Sequence, residues 1–376
     1  MAKQSRLAFV DLLRGLALLV MIEVHVFNSF LIPTIKEADW FLLLNFINGL
    51  IAPSFIFISG FAFVLASRKK LDDFRQYKYA FWKQIGRIGL IWLVGYSIHL
   101  PYFSLTRFMR DSTPEQMRAF YGVDVLQCIA AGLLILFIPR LLLKKDKHYE
   151  WFTLGGGILW IAVSTFLWGI DFRQYFHPFI AGYFNPTHGS LFPLFPWVGF
   201  ILAGAYICQL YLKYKDRSEE DKFFKLMLKA GIAFIIIGYA VYWELSPLHF
   251  EIPKPNPFFF ILRLGYVLVF LSFAYYYSLK FGLERNFVTD TGKESLLVYW
   301  LHLQVLYRHV VPGTSLSILV NKSFGVLESI SATILLMVLM IFSAKGWTYI
   351  KGLHPKVGTY TTSSLVLGMV IYFFLK

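Results

Sequence analysis

Apolar stretches of about twenty residues recur along the whole chain, and no other property constrains its fold as tightly. They lie near 7–32, 41–66, 85–104, 122–143, 151–169, 190–212, 229–246, 258–279, 295–311, 326–345 and 360–375. A helix rising about 1.5 Å per residue needs roughly twenty such residues to cross the hydrocarbon core of a bilayer. The spacing predicts an all-α, polytopic integral membrane protein with about eleven transmembrane helices. Strands of a barrel would be short and alternating, and these stretches are neither. Charged residues make up 15% of the chain, too few for a soluble domain, where they reach about a quarter. No soluble segment, internal repeat or low-complexity tail interrupts the pattern, which predicts a single membrane domain over residues 1–376.

The formal charge of +14 suggests nucleic acid at first sight, but its placement excludes that partner. Arg68, Lys69, Lys70, Arg75, Lys78, Lys83 and Arg87 follow the second stretch. Lys144, Lys145 and Lys147 follow the fourth, and Lys213, Lys215, Arg217, Lys222 and Lys225 the sixth. The opposite loops are poor in lysine and rich in proline, glycine and aromatic residues. This alternation is the positive-inside pattern, with the N-terminus cytoplasmic and the C-terminus outside. The basic start lacks a small-residue cleavage site, so the first stretch reads as a retained helix. Cys128 and Cys208 both fall within apolar stretches, which argues against a disulfide framework or a cysteine-rich metal site.

The first stretch carries charge where lipid disfavours it. Asp11, Arg14, Glu23, His25 and Asn28 all lie within it. A charged residue at the bilayer centre costs about 2.5–3.5 kcal/mol even on lenient insertion scales, so such residues face partners, cavities or substrate paths. At about 100° per residue, Asp11, Arg14, His25 and Asn28 share an arc of roughly 100°, and Glu23 projects elsewhere. Asp11 and Arg14, three apart, can form an ion pair that eases insertion. Alternatively, Arg14 and Gly15 face an anionic ligand entering from the cytoplasm. Glu23 is assigned a helix-packing role.

The outer end of this stripe has chemical uses. His25 stands about 16 Å further out than Arg14 along a helix. The second helix descends from the same level with Asn45 and Asn48 one turn apart, so His25, Asn28, Asn45 and Asn48 can converge in the outer third of the membrane. An imidazole there can serve as a general base or a nucleophile, with amides to orient it or to stabilise an oxyanion. It can equally do no more than hydrogen-bond a neighbouring helix.

In the ninth stretch Ser295, Tyr299, His302 and His309 share one face, with His302 inward of His25. His302 either lines the same cavity or caps a buried hydroxyl. His188 sits in NPTHGSLFPLFPWVGF, where proline and glycine prevent a simple helix and irregular backbone can line a cavity. Glu244 and Arg263 close consecutive stretches and are expected to pair, and His99 has an interfacial position. There is no phosphate-binding glycine loop, no HExxH, no His/Cys/carboxylate cluster for a metal and no G-x-S-x-G elbow.

The segment DLLRGLALLVMIEVH resembles the opening helix of bacterial membrane proteins related to heparan-α-glucosaminide N-acetyltransferase. More broadly it is similar to transmembrane acyltransferases with a D-x-x-R-G first helix. NGLIAPSFIFISGFAF, DVLQCIAAGL, PLFPWVGFILAGA and ESLLVYWLHL continue the resemblance in order to about residue 305. It implies a fold of about eleven helices, a cytoplasmic acetyl-CoA or other acyl-CoA as co-substrate, and transfer across the membrane. It carries over to Asp11, Arg14 and Gly15 by signature, His25 by position, Gln127 by the LQ motif and His302 by the YWLHL motif. The animal enzyme has a functional histidine in the loop after its first helix, whereas the corresponding PTIKEAD has none, which leaves His25 or His188.

These readings converge on an acyl-CoA-dependent transferase of the bacterial cytoplasmic membrane acting on a hydroxyl or amine of a glycan or glycolipid. His25, Asn28, Asn48 and His302 are the catalytic candidates. Arg14, Arg68, Lys69, Lys83, Arg87, Gln127 and Tyr299 are candidates for holding the donor, whose polyanionic nucleotide suits basic loops. Asn45 and His188 are candidates for the acceptor. Membrane lipid is an expected partner, no metal is called for, and a homodimer is compatible with the pattern. The alternative is a proton-coupled transporter of a lipid or small metabolite with the stripe as its pathway.

Overall fold

The computed structural model describes residues 7–242, 254–282, 286–308, 314–353 and 355–376. Its main helices begin with α1 (Ala8–Phe30), α2 (Asp39–Asn48), α3 (Ile51–Ser67), α4 (Tyr79–His99), α5 (Val125–Leu142), α6 (Asp146–Leu167) and α7 (Leu194–Lys215). They continue with α8 (Glu220–Tyr242), α9 (Pro257–Phe281), α10 (Phe287–Lys293), α11 (Ser295–Tyr307), α12 (Val326–Leu353) and α13 (Pro355–Leu375). The protein is all-α: the described residues contain no strand, only an isolated bridge between Leu31 and Phe324.

Eight helical stretches among the described residues are long and apolar enough to cross a membrane. They fall on all but the first, third and ninth of the stretches read from sequence, and those three are helical as well. α1 has the length but carries Asp11, Arg14 and Glu23, α4 carries Lys83 and Arg87, and α11 has only 13 residues. The fifth stretch starts earlier than its apolar run, at Asp146.

The described chain divides into two compact units, one of Met1–Ile51, Ile98–Phe120 and Ser278–Lys376, the other of Ala52–Ser97 and Tyr121–Tyr277. In the first unit α1 is central, packing against α10, α11, α12 and α2. Leu18, Ile22 and Val26 of α1 are fully buried. The crossing of α1 and α10 depends on glycine. A Cβ on Gly15 would collide with the backbone carbonyl of Val288, and one on Gly292 with that of Asp11. α10 begins with a capping box in which Asn286 and Thr289 each accept the other's backbone N–H, at 2.8 and 3.1 Å. At the α10–α11 junction Glu294 receives Lys351 Nζ of α12 at 2.6 Å and the Thr348 hydroxyl at 3.3 Å.

Beyond α1, Ile32 N donates to Phe324 O (3.0 Å) and Phe324 N to Phe30 O (2.9 Å). These bonds satisfy backbone groups that the helix end leaves open and fix the last turn of α1.

In the second unit α7 packs on α6 and α5. Glycines again set a close approach: a Cβ on Gly60 of α3 would meet the Ile201 carbonyl, and one on Gly204 of α7 the Phe57 carbonyl. α7 departs from helical geometry at Phe195 (φ −100°, ψ 121°). Tryptophans satisfy nearby carbonyls, Trp160 Nε1 donating to Leu194 O (2.8 Å) and Trp168 Nε1 to Phe195 O (2.9 Å). The Trp160 ring stacks on Phe195 with centres 4.3 Å apart.

Candidate functional site

The C-terminal turns of α1 and the helix α11 bring two histidines together within the first unit. The rings of His25 and His302 lie 5.4 Å apart, tilted by 48°. His25 is half-buried, whereas His302 is fully buried. His302 Nδ1 donates to the Val298 carbonyl at 2.7 Å, and Tyr299 meets its ring edge-on at 5.6 Å. Its Nε2 has no hydrogen-bond partner among the described residues. On the other side, His25 Nδ1 lies 3.4 Å from the Tyr307 hydroxyl, which accepts from Ser29 Oγ at 2.8 Å.

Sequence places His302 inward of His25, but in the structure the two are neighbours. The reason is α10, which packs on α1 at Gly15 and forms a helix between two of the apolar stretches. α11 follows α10 directly and packs on α1, which brings His302 beside His25.

Ser29 and Tyr307 are not among the candidates that sequence points to. Ser29 is one turn beyond His25, at i+4, where a helix places neighbours on one face. Asn28, at i+3, attracts attention for its amide, yet it is exposed, and its backbone carbonyl receives Lys36 Nζ at 3.0 Å. A lysine at that end suits the helix dipole. Tyr307 carries no signal until α11 is placed beside α1.

The asparagines of α2 separate. Asn48 is buried and faces Glu23, while Asn45 is exposed. Glu23, set apart from the stripe by helix geometry, thus meets the second helix, in keeping with a packing role.

Near the N-terminal end of α1, Arg14 Nη1 and Asp11 Oδ1 lie 3.8 Å apart, with both side chains largely buried. The face of Gly15 is filled by the α10 backbone, so Gly15 offers no surface to an anionic ligand.

The remaining candidates belong to the second unit. Gln127 is fully buried, and neither polar atom of its amide has a partner among the described residues. Its side chain packs so closely on α4 that a Cβ on Gly95 would come 2.9 Å from Oε1. Arg68 is engaged by Asp216 through two hydrogen bonds of 3.0 and 2.5 Å. Those bonds hold the Asp216 carboxyl below its usual range. Lys69, Lys83 and Arg87 are exposed, and Lys83 Nζ lies 5.7 Å from the Tyr79 ring centre. The backbone of His188 ends a short turn, Pro186–His188, followed by Gly189 at φ 95°. The His188 side chain lies outside the described residues, as do Glu244 and His309. The expected Glu244 partner, Arg263, lies over the Phe259 ring at 5.1 Å. Cys128 and Cys208 are both free and buried.

The His25–His302–Tyr307–Ser29 cluster can accept, hold and return a proton. Among the described residues no group of three His, Cys, Asp or Glu side chains could hold a metal ion. A family model described as heparan-alpha-glucosaminide N-acetyltransferase, catalytic, matches residues 6–243 of the chain. No curated protein matches it.

Proposed function

For this chain, which belongs to the heparan-α-glucosaminide N-acetyltransferase catalytic family, we propose acetyl transfer from cytoplasmic acetyl-CoA to a hydroxyl or amine of an extracytoplasmic glycan or glycolipid. The protein is an integral membrane acyltransferase of that family, and the distribution of basic loops supports a cytoplasmic N-terminus. The observation that carries the reading is the histidine pair at the outer end of α1, 5.4 Å between ring centres.

His25 acts as general base. It takes the proton of the acceptor O–H or N–H as the oxygen or nitrogen attacks the thioester carbonyl. The new C–O or C–N bond forms, the C–S bond breaks, and the proton passes to the departing thiolate to give CoA–SH. Base catalysis of this kind contributes about 10²–10⁴-fold. Arg14 lies about 16 Å from His25 along the unbroken α1, a span suited to an extended pantetheine arm. Within the second unit, exposed Lys69, Lys83 and Arg87 carry positive charge suited to phosphate groups. Arg68 is a weaker candidate because Asp216 already occupies its guanidinium.

The test is ligand-dependent stability of the purified protein in detergent. Acetyl-CoA at about 100 times its dissociation constant should add about 2.7 kcal/mol and raise the apparent Tm. No shift with acetyl-CoA or with longer acyl-CoA would exclude an acyl-CoA donor.

A further inference from the structure

The cluster around His25 has a direction, which follows from what each atom can donate. A carbonyl oxygen only accepts, so the 2.7 Å bond to Val298 O requires the hydrogen of His302 to be on Nδ1. The neutral ring then has its lone pair on Nε2, which is fully buried and without a partner among the described residues. Buried polar atoms are rarely left unsatisfied, because the cost is comparable to that of a lost hydrogen bond.

Beside this ring stands that of His25. Two imidazoles with centres 5.4 Å apart bring nitrogens within hydrogen-bonding reach once those nitrogens face each other. The two nitrogens of an imidazole point to nearly opposite sides of the ring, so with Nδ1 turned to Tyr307 the Nε2 points away from Tyr307. Ser29 donates to the Tyr307 oxygen, and the phenolic O–H is assigned as the donor toward His25 Nδ1, 3.4 Å away.

We propose that His302 is a positioning residue that fixes the tautomer of His25 by accepting a hydrogen bond from its Nε2–H, so that Nδ1 is the basic nitrogen. This rests on His25 being the general base. The completed chain runs one way: Ser29 O–H to Tyr307, Tyr307 O–H to His25 Nδ1, His25 Nε2–H to His302 Nε2, and His302 Nδ1–H to Val298 O. Every donor has an acceptor, and the orphaned nitrogen is satisfied. The chain also runs from an accessible end to a closed one, since Tyr307 is 42% exposed and His302 is not exposed at all. An acceptor group therefore reaches Nδ1 from the Tyr307 side, displacing the Tyr307 O–H from the Nδ1 lone pair. When Nδ1 takes the acceptor's proton, the charged ring still donates from Nε2 to His302, which stabilises it where it stands. The carboxylate beside the histidine of a serine-protease triad orients its imidazole in the same manner.

The experiment is nitrogen NMR of the full-length protein in lipid, labelled with ¹⁵N-histidine, with His25 assigned by its loss in His25→Gln. In the resting protein His25 should be protonated at Nε2 and bare at Nδ1. His302→Gln, whose side-chain oxygen still accepts, should preserve that tautomer, and His302→Leu should lose it. In parallel, His302→Leu should lower kcat about tenfold or more with KM for acetyl-CoA unchanged, and His302→Gln should recover most of it. A wild-type His25 protonated at Nδ1 would overturn the proposal, as would an unchanged tautomer in His302→Leu. Should His302→Leu not fold, the wild-type spectrum alone decides. The spectra need no turnover, so a wrong tautomer in an enzyme that still depends on His25 refutes only this inference. The expected tautomer without acyl transfer refutes only the base assignment.

Discussion

Gly15 of α1 meets the backbone carbonyl of Val288 so closely that no Cβ fits between them. The obstacle is main chain, which cannot swing aside as a flexible side chain can. Gly15→Ala should therefore destabilise by about 1–3 kcal/mol, the usual cost of overpacking. Gly86, on α4, has open space where a Cβ would stand, with nothing within 4 Å, so Gly86→Ala should be neutral or stabilise by up to about 1 kcal/mol. Thermal unfolding in detergent compares the two, and an equal response would show that the α1–α10 crossing is looser than described.

Glu294 ties the start of α11 to α12 through Lys351 and Thr348 and is itself 9% exposed. Glu294→Ala leaves Lys351 without this partner and should lower stability by about 1–3 kcal/mol. Because α11 carries His302, the variant should also lose activity below its own Tm. Activity equal to wild type at a reduced Tm would mean that α11 is held by its packing alone.

The Arg68–Asp216 pair makes a pH prediction. Arg68 holds the Asp216 carboxyl below its ordinary range, so the stabilisation is present at neutral pH and lost as pH falls through the lowered folded value. Both partners are exposed, so the effect should be smaller than that of Gly15→Ala. Asp216→Asn should lower Tm slightly at pH 7, with a smaller deficit near pH 3. An equal deficit at both pH values would point to a cause other than charge.

The helical architecture is legible in the sequence because bilayer thickness dictates segment length, and hydrophobic runs report that length directly. His25 is legible for a related reason, as a titratable residue in an apolar helix stands out against lipid. What cannot be read is the depth of α11. The segment Phe287–Lys293 has no strong apolar period, and its role is set by two glycines that let backbones touch, a tertiary fact. Once α10 is in place, His302 and Tyr307 come to His25. Sequence draws attention to Asn28 and not to Ser29, which bonds Tyr307, because angular position on an isolated helix does not say which neighbouring face α11 will cover. Asn45 is exposed for the same reason.

Tyr307→Phe removes the hydroxyl that faces His25 Nδ1 and accepts from Ser29. A neutral hydrogen bond is worth about 1 kcal/mol, so kcat should fall about five- to tenfold. Ser29→Ala, one bond further away, should have a smaller effect in the same direction. Steady-state kinetics of both variants check this order, and a larger loss in Ser29→Ala would reverse the assigned direction of the chain.

The base assignment is tested most directly by acetyl transfer from labelled acetyl-CoA in proteoliposomes containing wild type or His25→Ala, matched for folded protein. The account predicts a loss of about 100-fold or more in His25→Ala, with acetyl-CoA still raising its Tm. Near-full transfer by His25→Ala would contradict it.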